Sequence, residues 1–218
     1  MKAITLLILS ISFLKINGQI IDPTFDILAN DINKIRLTQT DTCISIRLPD
    51  HFFTHADSLP GIGEVVTYVV EYLIYKTGQK TFSKKYVLYD AEKKGSTIAV
   101  SYPVETNADT IFSFLKKSMD QINNEEIYPY IYQFKNPNKP TLNYAVLQED
   151  HPTVHSIGIF TSKKYFYKSV NWRSLQEKEI SGTINLNYKA NIDTELNSLY
   201  KLLLDFIDRT NKLYTFKE

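Results

Sequence analysis

The segment Ile192 to Thr210 carries Leu196, Leu199, Tyr200, Leu203, Phe206 and Ile207 on one helical face, with Asn191 placed as an N-cap. An amphipathic helix of this length cannot leave such a stripe in water, so it must cover another element. The rest of the chain says what that element is. Tyr86–Ala91 and Thr97–Tyr102 flank Glu92-Lys93-Lys94-Gly95, and Val154–Phe160 and Tyr165–Val170 flank Ser162-Lys163-Lys164. Both read as β-hairpins. Cys43–Leu48 alternates like a strand and stops at Pro49, and Leu142–Leu147 follows the turn Asn136-Pro137-Asn138-Lys139-Pro140. Successive hairpins interrupted by helices give an α+β fold: a mainly antiparallel sheet with helices packed on it. Two small α+β lobes are the alternative arrangement.

Two further helices are expected. Thr110–Ile122 has the stripe Ile111, Phe114, Leu115 and Met119, with capping oxygens on Asn107 and Asp109. Thr24–Leu37 spaces Phe25, Leu28, Ile32 and Ile35 more loosely, with Thr24 as a cap after Pro23. Glu64–Lys76 pulls two ways. Val66, Val69, Val70, Leu73 and Ile74 fall at helical spacing, and Gly78 sits where a C-terminal cap would be, whereas the Val, Tyr and Ile content suits a strand. Spacing favours helix, with Tyr68, Tyr72 and Tyr75 widening its buried contact. Ile127–Phe134 reads as a strand with Tyr128, Tyr130, Tyr132 and Phe134 on one side and Ile127, Pro129 and Ile131 on the other. Apolar on both faces, it is expected between layers. Asp50–Gly63 reads as a long loop, and 171–191 offers only a short strand at Thr183–Leu186. Trp172 is expected to pack.

The N-terminus reads as an address. Lys2 precedes the mostly apolar run Ala3–Leu14, and Gly18 is a small residue before a polar chain. That is the plan of a signal peptide over residues 1–18, cut after Gly18 or Gln19. The run is too short for a spanning helix, which needs roughly 20 apolar residues, so no integral membrane anchor is expected. Residues 19–218 then form a single domain, secreted or periplasmic, and the Lys, Asn and Ile enrichment suggests a bacterial source. Loss of Lys2 and Lys15 leaves 23 basic against 24 acidic side chains. Such a balance gives no electrostatic case for nucleic acid. The lysine pairs 84–85, 93–94, 116–117 and 163–164 read as solvated decoration at turns and helix surfaces. Cys43 is the only cysteine, so no internal disulfide staples the fold; 15 Tyr and 12 Phe supply buried area instead. Cys43 reads as an inert structural thiol.

Chemistry is thinly marked. All four histidines fall in two HxxxH pairs, His51–His55 and His151–His155, each beside carboxylates. Imidazoles with acids are zinc-type ligands, and a metal-dependent hydrolase using His51, His55, His151 and His155 is one reading. Neither segment looks helical, and in an extended chain residues four apart are roughly 13 Å distant. A shared ion therefore requires the two segments to meet; the other reading is solvent-facing loop histidines. HExxH, GxSxG, GxGxxG and GxxxxGK[ST] do not occur. The leading expectation is an exported binding or accessory module of the cell envelope, without cofactor, taking a protein or small-molecule ligand. A small-ligand carrier with a tyrosine-lined pocket is the third reading.

An early strand ending in Leu48-Pro49, a late hairpin around Gly158-Ile159-Phe160 and Tyr165-Phe166-Tyr167, and a closing helix resemble the PsbP-like α-β-α sandwich in element order. That likeness implies a layered fold. It includes no catalytic or binding motif, so it implies no site residue.

Overall fold

The computed structural model describes residues 23–37, 42–49, 56–59, 63–91, 95–135, 142–147, 154–162, 164–176, 179–180 and 182–216. The leader, His51, His55 and His151 lie outside them. In chain order the elements are α1 (Pro23–Leu37), β1 (Thr42–Pro49), β2 (Ala56–Leu59), β3 (Gly63–Thr77), β4 (Lys80–Ala91), β5 (Gly95–Val100), β6 (Val104–Thr106), α2 (Asp109–Asn124), β7 (Ile131–Lys135) and β8 (Leu142–Val146). There follow β9 (Val154–Thr161), β10 (Tyr165–Asn171), α3 (Trp172–Gln176), β11 (Glu179–Ile180), β12 (Thr183–Ile184), α4 (Tyr188–Ile192) and α5 (Glu195–Thr210).

The fold is α+β. One antiparallel sheet runs in the order β10-β9-β1-β3-β4-β5, with β2 also paired to β3 and β6 to β4. Strand β1, early in sequence, sits between late β9 and β3, so the sheet closes only when the chain's two ends meet. One face carries Ile44, Ile46, Tyr72, Ile74, Ile157, Ile159 and Val170, packed against Ile111 and Leu115 of α2 and Leu196, Leu199, Leu203 and Phe206 of α5. The other carries Cys43, Leu73, Tyr86 and Phe160 under Leu28 and Ile32 of α1.

The helix expected over 64–76 is strand β3. Val70, Tyr72 and Ile74 face α2 and α5, while Leu73 belongs to the α1 cluster. A strand covered on both faces needs no polar side, so its apolar residues can fall at helical spacing without making a helix. Gly78, read as a helical cap, has φ +62° and opens the two-residue loop between the paired Thr77 and Lys80. Positive φ is the conformation glycine tolerates best, in a hairpin as at a helix end.

The cap of α5 is Thr194, whose Oγ1 accepts from the Asn197 N–H at 3.0 Å. Asn191 does different work. Buried in α4, its Oδ1 accepts from the Tyr128 N–H and its Nδ2 donates to the Tyr128 carbonyl, both at 2.9 Å. A side-chain amide thus imitates a strand partner. Charges match the helix dipoles where α2 meets α5: Glu125 Oε2 accepts from the Leu196 N–H, and Lys168 Nζ donates to the Asn123 and Glu125 carbonyls.

The aromatic strand is shorter than expected and does not lie between layers. β7 begins at Ile131 and pairs with β8 in a separate two-stranded ribbon, with the Leu186 N–H bonded to the Ile131 carbonyl at its other side. Tyr130 is buried, but Tyr128 and Phe134 are exposed. The core expectation holds for Tyr130 alone, whose hydroxyl donates to the Thr183 carbonyl at 2.5 Å.

Candidate functional site

Titratable side chains gather most densely where α1 crosses the sheet. Register places Arg47 beside Glu71 and Glu71 beside Tyr86, and Ser45 beside Leu73 and Leu73 beside Lys84. Alternation sends all of these to the α1 face. Asp31 projects from α1 between Leu28 and Ile32. Its Oδ2 accepts from Lys84 Nζ and, at 2.8 Å, from the Tyr86 hydroxyl. The Lys84 ammonium also lies 5.2 Å from the Tyr86 ring centre. Glu71, Ser45 and Lys84 are all buried. Arg47 Nη1 and Glu71 Oε2 stand 3.9 Å apart, an ion-pair separation rather than a hydrogen bond.

Burial by itself raises the Asp31 carboxyl, but the Lys84 and Tyr86 hydrogen bonds and the Lys84 charge outweigh it and hold the group below its ordinary range. Burial, then the Asp31 carboxylate, push the Tyr86 phenol far above its usual value. At neutral pH the arrangement is therefore a charged carboxylate and ammonium with a neutral phenol. Through the shared Asp31 Oδ2 these groups join a helix to a sheet. Cys43 is buried beside them with Leu28, Leu73 and Phe160, as expected of a structural thiol.

Lys84, expected as solvated decoration at a turn, is instead buried within β4, which starts at Lys80 rather than Tyr86. The pair Lys84-Lys85 lies inside the strand and splits across it. Lys84 goes to α1, whereas Lys85 reaches Asn211 Oδ1 at 2.8 Å on the other face. A strand extended back to Lys80 would show Phe82, Lys84 and Tyr86 in alternation, a lysine on an aromatic side and therefore a charge needing a buried partner.

His155 is the one histidine of the two pairs that is described. It sits on β9, facing α5, with Nδ1 2.6 Å from the Tyr200 hydroxyl and ring centres 5.6 Å apart. Burial lowers its pKa to about 4 and raises that of the Tyr200 phenol. A neutral imidazole facing a neutral phenol is the result. No group of three or more His, Cys, Asp or Glu side chains suited to a metal occurs among the described residues.

Two surface cavities flank α2. One, of about 440 Å³, lies between the start of α2 and α5, with Asn107, Thr110, Asp205, Asp208 and Arg209 in its walls. The other, of about 550 Å³, lies between α2 and the ends of β1 and β3, lined by Thr42, Lys76, Phe112, Leu115, Lys116 and Met119 beside Gly78. Among the described residues no tyrosine lines either cavity. The β7–β8 ribbon is itself a surface feature: Leu142, Tyr144 and Val146 are 54%, 64% and 50% exposed, and Ile184 and Leu186 nearby are also exposed.

Among the described residues no helix is long and apolar enough to cross a membrane. Comparison with family models, characterised proteins and solved structures finds no match.

Proposed function

We propose that the chain is an exported binding module that engages a protein partner through the β7–β8 ribbon. The observation that carries this reading is the run Leu142, Tyr144, Val146, three alternate apolar side chains at least half exposed on a strand outside the main sheet. Exposed apolar clusters on a strand mark contact sites more often than isolated ones do, and extended partners are read by alternate side chains. Export rests on the leader pattern, and the PsbP-like likeness rests on the order of elements in the sequence.

A photo-crosslinking residue at position 144, compared with one at the exposed Tyr102, tests the reading in the source cell. A discrete adduct from 144 and none from 102 is expected. Equal or absent adducts overturn it. N-terminal sequencing of the mature protein should begin at Gln19 or Ile20, and an intact Met1 overturns export. Elemental analysis separates the zinc-hydrolase reading, for which one metal per chain on His51, His55, His151 and His155 is required.

A further inference from the structure

We propose that the cavity between α2 and the ends of β1 and β3 is a binding site for a straight-chain fatty carboxylate. Phe112, Leu115 and Met119 fall three and four residues apart on α2, so they present one apolar stripe along the groove. Among the described residues the charged side chains in its walls are Lys76 and Lys116. Lys76 Nζ lies 5.1 Å from the Phe112 ring centre, so a cation and the apolar stripe meet in the groove. It also binds Asp109 Oδ1 at 2.8 Å, and that carboxylate is largely exposed. An ammonium has three protons, so one contact to an exposed acid leaves donors for a second anion. Thr42, the first residue of β1, adds a hydroxyl to the lining.

Charge decides the occupant. Three apolar side chains and two ammonium groups in one lining complement a body without hydrogen-bonding groups and a single anionic head. It disfavours a neutral or cationic amphiphile of the same length. The volume, about 550 Å³, lies within the usual small-ligand range of roughly 300–1,000 Å³. The second cavity is an internal contrast: Asp205, Asp208 and Arg209 mix signs in its walls, so it offers no preference for an anion.

Met119 makes the test direct, because Met1 is the only other methionine. With the methionine methyls labelled with carbon-13, Met119 reports on the groove by NMR, its signal assigned by Met119→Leu. Titration with decanoate should shift it and saturate below about 1 mM. Decyltrimethylammonium, with the same chain and opposite charge, should bind at least about fivefold more weakly. Lys116→Gln should weaken decanoate about fivefold, and Lys76→Gln with Lys116→Gln should erase the preference for the anion. Arg209→Gln, in the other cavity, should change nothing. Equal response to both amphiphiles, no saturation, or unaltered decanoate binding in Lys116→Gln overturns the proposal.

Discussion

The two faces of the sheet are covered by different means. Under α2 and α5 the contact is a broad apolar layer drawn from β1, β3, β9, the edge strand β10 and both helices. Under α1 it is narrow, with Leu28 and Ile32 as the buried apolar anchors and Asp31 set between them on Lys84 and Tyr86. Apolar area is non-directional and supplies most of the folding free energy. A buried ion pair roughly breaks even but penalises any placement that separates its partners. The broad face thus stabilises the sheet, while the narrow face fixes where a single helix sits.

The largest effect should come from the broad face. Phe206→Ala removes a fully buried ring from the centre of the α5 contact. Such truncations cost about 3–5 kcal/mol, and urea unfolding should show that loss in the midpoint with the slope unchanged. On the narrow face, Lys84→Met leaves Asp31 half-buried without its cation and should cost about 2–3 kcal/mol, toward the lower end for pairs that retain some solvent. Asp31→Leu with Lys84→Met should restore most of it. If the double variant is as unstable as the single, the pair does more than set position.

Acid separates the faces further. His155, on the broad face, is held neutral by burial, with a folded pKa of about 4 against an ordinary 6.5. The unfolded chain therefore takes up a proton first as pH falls. Stability is complete above about pH 6.5 and declines toward pH 4, by about 2–3 kcal/mol in all. His155→Gln should flatten that decline. Asp31 acts lower. Its folded pKa lies below the ordinary 3.8, so its contribution is present above that pH and is lost as pH drops through the depressed value. An Asp31→Asn variant should lose only the second step. A single merged step in the wild type would break the comparison.

How much of this was legible depended on whether one period described a segment. Helices α2 and α5 have one wet side, so their stripes stood out, as did the β4–β5 and β9–β10 hairpins with their polar turns. Strand β3 misled because both its faces are buried, and burial on both sides erases alternation. Asp31, Lys84 and Tyr86 come from segments more than fifty residues apart, and only the register of β3 with β4 brings Lys84 under α1. The cap expected at Asn191 falls to Thr194; Asn191 bonds backbone as a cap does, but at Tyr128, sixty-three residues away. Long-range pairing of this kind leaves no periodic trace.

The smallest effect tests how tightly the narrow face is packed away from α1. A Cβ at Gly158 would stand 2.7 Å from Ser45 Oγ, 2.8 Å from Phe160 Cε2 and 2.9 Å from Tyr167 Cε1. Tyr167 is half exposed and its ring can swing toward water, whereas Phe160 and Ser45 are buried and cannot. Phe160 and Tyr167 meet edge to face at 5.3 Å over this position, so moving one ring uncouples the pair. Gly158→Ala should therefore cost about 1–2 kcal/mol, the overpacking penalty less the relief from Tyr167. Tyr167→Ala in the same background should recover part of it, because it opens the only yielding wall. If Gly158→Ala proves neutral, Phe160 has room to move, and the α1 face is looser than its polar latch implies.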